Sequence, residues 1–324
     1  MRNRISYLNR IFKAYLTKAD SQLTFWHGTP KINPNFSTDH LGPYYMVFES
    51  KANYSAYLDD AGIPMLNYHG TVGLHYNPIA IAQYGLGNYN RYHETSDDQS
   101  YKKFIRAANW LVENLELNAH GIYVWNHYFD WEYRDTLKSP WYSALSQGQG
   151  ISCLLRANQL TGEARYMVAA EKALGSFLVE TDRGGVIFRD SEGDLWLEEA
   201  IVDPPTHILN GFLWAIWGLY DYYLHTKDIR AKKVYDQGVK TLVKNLSGYD
   251  TGFWSLYEHS GEKMMMLASP FYHSLHIVQL KIMGLLAEEN IFGEYSEKWE
   301  NYKGSLLKRY FSLIYKVIFK VFYY

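Results

Sequence analysis

Apolar positions recur at helical spacing in four segments that look like copies of one another. These are YNPIAIAQYGLGNY from Tyr76, YSALSQGQGISCLLRA from Tyr142, THILNGFLWAIWGLYDY from Thr206 and YHSLHIVQLKIMGLLAE from Tyr272. They begin 66, 64 and 66 residues apart. A more polar stretch of helical period follows each one, over about 99–117, 163–180, 229–246 and 292–317. An apolar helix followed by a more polar one, repeated at this period, predicts a mainly α fold. Its helical hairpins form a curved or closed ring with the apolar helices inside.

Between the outer helix of one repeat and the inner helix of the next, the pattern changes to alternation around a polar turn. This predicts β-hairpins in Gly121–Tyr133, Gly184–Glu199 and Thr251–Leu267, with DSEGD and HSGEK as turns in the last two. All three are expected at one end of the ring, beside the N-termini of the inner helices. Glu199, Tyr257 and Tyr272 would then surround one opening. The inner helices also carry polar residues beside glycines: Gln83 and Tyr84, Gln147 and Gln149, and Asn210. Their repetition at equivalent inward positions favours a groove in which a ligand approaches closely over hydrogen bonding inside a core.

No linker interrupts residues 70–290, so the repeats read as one domain over 71–300. An N-terminal helix and β-hairpin extension is expected over 1–70 and an amphipathic tail over 301–324. The formal net charge of −2 gives no reason to expect a nucleic-acid partner. Aromatic residues make up 17%, with 30 Tyr and 10 Trp. They either fill the core between helices or wall a wet groove for sugar rings. Trp141 and Tyr142, just ahead of the second inner helix, are candidates for such a wall. The single Cys153 excludes an intramolecular disulfide and fits a reducing, cytoplasmic setting. The N-terminus has basic residues without an uninterrupted apolar core, so no signal peptide is expected. The tail LLKRYFSLIYKVIFKVFYY suits a final outer helix on the ring or contact with the inner face of a membrane. A homodimer is a further expectation.

Six blocks carry a resemblance: IAQYGL (Ile81–Leu86), WYSALSQGQGIS (Trp141–Ser152), LEEAIVDPPTHILNGF (Leu197–Phe212), GLYDYY (Gly218–Tyr223), YDTG (Tyr249–Gly252) and YHSLHIVQL (Tyr272–Leu280). In this order they resemble the C-terminal catalytic region of D-glucuronyl C5-epimerase. That family converts D-glucuronic to L-iduronic acid within heparan-type polysaccharides. The resemblance implies an (α/α) toroid of about four hairpins, with short β-hairpins at one end and an active-site cleft over it. It implies Glu199, Tyr257 and Tyr272 as catalytic residues and a uronate-containing, heparosan-like polymer as substrate. The chain departs from the animal enzymes by lacking a large β-rich region, by carrying Ala200 where tyrosine is usual, and by a shorter loop between Tyr257 and Tyr272 that lacks an arginine. The first departure suggests a compact bacterial-type relative.

Inversion at C5 requires removing a proton beside a carboxylate and returning one to the other face, so groups are needed on both sides of the sugar. A carboxyl of ordinary pKa, about 4.3, is ionised at neutral pH, and a tyrosine at about 10 is a proton donor. These values suit Glu199 as base or helper and Tyr257 and Tyr272 as acids, with Glu199 and Tyr257 on one face and Tyr272 on the other. The negative charge that builds up on the substrate carboxylate needs a clamp. Candidates are His259, Lys263, Arg189 and His273. His273 and His276 could form half of a metal site, but with no third ligand evident no metal or cofactor is expected. Two other readings stay open: a lyase that shares the first step and then expels the C4 oxygen, and a non-catalytic glycan-binding toroid.

Overall fold

The computed structural model describes residues 28–68, 71–261 and 265–323. Four inner helices, α1 (Pro78–Thr95), α3 (Ala144–Thr161), α5 (Leu209–Thr226) and α7 (Pro270–Leu286), alternate with four outer ones. The outer helices are α2 (Asp98–Glu113), α4 (Ala164–Leu174), α6 (Ile229–Asn245) and α8 (Asn290–Gly304). The fold is an (α/α) toroid of four hairpins, as the repeat predicts. Capping residues set the phase of the helices. Asn77, Ser143 and Ser269 accept backbone N–H bonds at the starts of α1, α3 and α7, and Pro78 and Pro270 occupy the first turn where no N–H is needed. The inner helix α5 is apolar on nearly every side because it is surrounded on nearly every side.

The glycines of SQGQG serve packing between helices. A Cβ on Gly148 would lie 2.6 Å from the Ala215 Cα, and one on Gly218 would lie 2.3 Å from the Gly148 carbonyl oxygen. Backbones of α3 and α5 therefore touch. Gly150 in turn makes room for the Trp125 ring. The segment Leu41–Ala52 enters the middle of the ring. Tyr44 and Tyr45 pack on Trp217, and Phe48 packs on Trp214. The segment ends in one helical turn, Glu49–Ala52. Gly87 in α1 admits it, since a Cβ there would lie 2.7 Å from the Phe48 carbonyl oxygen.

Strands are short and all pair antiparallel. β1 (Met65–Asn67) pairs with β2 (Leu74–Tyr76), β3 (Glu116–Leu117) with β4 (Tyr123–Val124), β5 (Trp131–Glu132) with β6 (Thr136–Leu137), and β7 (Ile187–Arg189) with β8 (Leu195–Leu197). The β7–β8 hairpin matches the sequence expectation. Gly121–Tyr133 does not form one hairpin. Its start pairs backward through a turn at Asn118–Gly121, where Gly121 has φ +78, and its end pairs forward with Thr136–Leu137. Thr251–Leu267 has isolated bridges in place of regular strands, Leu256 to Leu267 among them, and Glu262, Lys263 and Met264 of its turn lie outside the described residues.

The predicted outer helix 292–317 is also two helices. α8 ends at Gly304 and α9 spans Leu306–Tyr323. Lys316 and Lys308 tie α9 to the barrel by donating to the carbonyls of Leu267 (2.5 Å) and Gly252 (3.2 Å). Leu307, Phe311 and Ile314 face outward. Among the described residues no helix is long and apolar enough to cross a membrane. The helix expected near the N-terminus falls on residues 1–27, outside the described residues.

Candidate active site

The N-terminal ends of all four inner helices open on one cavity of about 160 Å³. Asn77, Ile79 and Gln83 reach it from α1 and its cap, and Trp141 and Leu145 from the entry and first turn of α3. Asn210 and Trp214 come from α5, and Phe271 and Tyr272 from α7. Glu199 enters just beyond β8, and Tyr257 from the loop before α7. Backbone bonds fix that loop: Tyr257 N–H donates to the Met266 carbonyl (2.7 Å), and Leu209 N–H donates to the Tyr257 carbonyl (3.1 Å).

Glu199 lies over Gly211 in the first turn of α5. A Cβ at residue 211 would lie 2.1 Å from Glu199 Oε2, so only glycine leaves the carboxyl its place. The Asn210 side-chain amide donates to the same oxygen at 3.3 Å. Burial pushes the Glu199 pKa up to about 8; the Asn210 bond opposes the rise and neighbouring Glu198 adds to it. Glu199 is therefore mostly protonated at pH 7, where the sequence suggested an ionised group. Glu198 itself points away, buried against His207, whose Nδ1 lies 2.5 Å from Glu198 Oε1.

The rings of Tyr257 and Tyr272 meet edge to face with centroids 4.9 Å apart, and their hydroxyls hydrogen-bond. Burial, with the nearby Glu199 charge next, raises both pKa values well above 10, so both are phenols rather than phenolates. The ring contact sets Tyr257 and Tyr272 side by side in the cavity wall. Both tyrosines face the cavity together with Glu199.

Of the other residues singled out in the sequence, Gln83, Trp141 and Asn210 line this cavity. Trp141 is held by its indole N–H to the Phe129 carbonyl (2.8 Å) and by stacking on His127. Gln149 lies behind Gln83 and accepts from its amide (2.8 Å). Gln147 is wholly buried. It accepts from Trp125 N–H and donates to the Ser176 hydroxyl, so it pins a hairpin to the ring and does not reach the cavity. Tyr84 is buried inside the ring, and Tyr142 turns toward Asn118 of the first hairpin.

None of the described candidates for the carboxylate clamp reaches the cavity. Arg189 sits outside against Glu180 (3.4 Å). His259 packs over Gly248 and Tyr249. His273 is buried between Trp254 and Ser255, with its pKa pushed down to about 3 by burial, so it carries no charge. Lys263 lies outside the described residues. His273 and His276 share the Ser255 hydroxyl, and among the described residues no three His, Cys, Asp or Glu side chains gather as a metal site. Sequence reasoning missed Lys51, the only cation among the described residues that line the cavity, and the aromatic wall of Tyr68, Phe129, Trp131, Trp214 and Phe271. Lys51 carries no periodic or motif signal. The aromatic excess was the only hint of the wall.

Together the fold and cavity define a helical toroid with a carboxyl and two phenols at its aromatic mouth. Residues 118–301 match the family described as D-glucuronyl C5-epimerase C-terminus, and the chain belongs to that family. It is 30% identical over 220 residues to D-glucuronyl C5-epimerase of Caenorhabditis elegans, which is 63% of this chain and 35% of the worm protein. The chain thus spans about a third of that relative's length. It is 24% identical over 263 residues to an uncharacterized protein of Methanocaldococcus jannaschii, 75% of this chain and 83% of that one. Among solved structures, the unsaturated glucuronyl hydrolase of Bacillus sp. GL1 matches with a TM-score of 0.47 and 17% identity, over 69% of this chain and 61% of that chain.

Proposed function

We propose that the protein is a polysaccharide uronate C5-epimerase acting on a heparosan-like polymer. The observation that carries this reading is the convergence of the Glu199 carboxyl and the Tyr257–Tyr272 phenols on one aromatic-walled cavity. A carboxylate whose pKa is raised to about 8 is a stronger base than an ordinary one once ionised. Glu199 takes the C5 proton and becomes the carboxylic acid. The electron pair passes into the substrate carboxylate. A phenol of the tyrosine pair gives its proton to C5 from the other face. Proton exchange with solvent then returns the phenolate to phenol and the acid to carboxylate. Family membership supports the reaction class, and the aromatic wall supports a sugar ligand.

The test is incubation with heparosan in deuterated water. Deuterium is expected at C5 of the uronate units, with iduronate signals in the NMR spectrum and unchanged chain length. Unsaturated uronates and shortening chains would instead mark a lyase. No exchange on any uronate polymer would leave glycan binding alone. Tyr272→Phe is expected to lower inversion by roughly 10² to 10⁴ while the fold persists.

A further inference from the structure

The catalytic cavity adjoins a second one, of about 140 Å³, and three side chains belong to both: Lys51, Trp214 and Phe271. Lys51 thus stands at the partition, facing Glu199, Asn210, Tyr257 and Tyr272 on one side. On the other it faces Thr29, Lys31 and Glu49. Its position is set by backbone. The helical turn that carries it is wedged against Gly87 of α1. Its ammonium lies 5.3 Å from the Phe48 ring centroid. The residue is 9% exposed, and burial lowers its pKa to about 7.

We propose that Lys51 forms a carboxylate-binding subsite, receiving the C6 carboxylate of the uronate whose C5 faces Glu199 and the tyrosine pair. This rests on the epimerase reading for the identity of the sugar, and on the cavity alone for the position of the charge. Three points support it. The carboxylate is bonded directly to the reacting carbon, so its partner must belong to the same cavity as the acid and base. Lys51 is the only described lining residue with a cationic side chain. A carboxylate placed beside a desolvated lysine favours the charged ammonium, and that pair is strong because water is excluded. The same contact tightens as C5 loses its proton and charge flows into the carboxylate, which is the point at which stabilisation raises the rate. Lys51 is then a specificity residue. It selects uronates over neutral hexoses and sets which sugar of the polymer occupies the reacting position.

The test compares binding of a heparosan tetrasaccharide with that of its carboxyl-reduced form, by calorimetry, to wild type, Lys51→Met and Lys51→Arg. Removing the cation should weaken the uronate tetrasaccharide about 30-fold or more. The carboxyl-reduced form should bind all three proteins alike, and Lys51→Arg should recover part of the loss. Equal weakening of both ligands would show a packing role and overturn the proposal. So would unchanged uronate affinity in Lys51→Met, or a wild type that does not prefer the uronate. If Lys51→Met fails to fold, Lys51→Gln keeps a polar end without the charge and is judged by the same comparison. The C5 exchange assay separates the two readings. Charge-selective binding without exchange keeps the subsite and removes the epimerase. Exchange in Lys51→Met at the wild-type rate and KM does the reverse.

Discussion

Two carboxylates associated with helix α5 lead opposite lives. Asp221, toward the C-terminal end of the helix, accepts from Arg156 Nη1 (2.6 Å) and Nη2 (3.2 Å) and from the Tyr45 hydroxyl (2.7 Å). Arg156 is itself completed by the carbonyls of Gly42 (2.9 Å) and Ser152 (3.0 Å). Glu199 sits over the other end of the same helix, roughly 16 Å away along the axis. Among the described residues its one side-chain hydrogen bond is the long one from Asn210 (3.3 Å). Both carboxyls are enclosed by the ring. One is paired with a cation and held by three hydrogen bonds, so it staples α3, α5 and the N-terminal segment together. The other is desolvated and has no salt-bridge partner among the described residues, so its proton is held to a higher pH and its bonding capacity remains available to a ligand. A buried acid becomes chemistry where the protein leaves it sparsely bonded, and architecture where a paired cation and several donors hold it.

The largest expected effect is at the paired carboxylate. Asp221→Asn leaves the Arg156 charge buried without its counter-ion, and breaking such a pair costs about 3–5 kcal/mol. Denaturant unfolding should show that loss. A change under about 1 kcal/mol would mean that the pair is not structural. Glu199→Gln should do the opposite. At pH 7 the variant should be more stable than wild type, because glutamine spares the folded state the cost of holding a proton above the unfolded pKa, while C5 exchange falls by roughly 10² to 10⁴.

The same variant exposes the raised pKa. Unfolded Glu199 loses its proton near 4.3 and folded Glu199 near 8, so between those values the folded state holds more protons and wild-type stability falls as pH rises. Glu199→Gln should lack that slope. Lys51, pushed down to about 7, acts in the opposite sense at higher pH in both proteins and cancels in the difference. Parallel stability curves for the two proteins from pH 5 to 8 would refute the shift. A smaller effect is expected from Gly211→Ala. Its Cβ would displace the Glu199 carboxyl, and misplacement by about 1 Å can cost as much as 10²-fold in rate. Alanine favours the helix by about 1 kcal/mol, so lost exchange in a well-folded protein is the outcome to look for. Full activity would show that Glu199 works from a different position.

By itself the sequence determined the ring, its inner and outer layers, and the end on which Glu199, Tyr257 and Tyr272 open. Helical periodicity states which side of a helix is apolar, and a 64–66-residue repeat brings equivalent helix starts to one mouth. Periodicity does not state which neighbour fills each side. Gln147 and Gln149 look alike as polar residues beside glycine, yet the close approach of α3 to α5 and the Trp125 hairpin turned both away from the cavity. Tyr257 and Tyr272 became a touching pair only when the loop before α7 was pinned to α5 and to Met266. Lys51 lies in a stretch without repeat or motif, about 150 residues before Glu199, and only the wedging of Leu41–Ala52 into the ring carries it to the same cavity. The charge state of Glu199 was decided there too, because a carboxyl's pKa follows from the water and partners that tertiary packing removes or supplies.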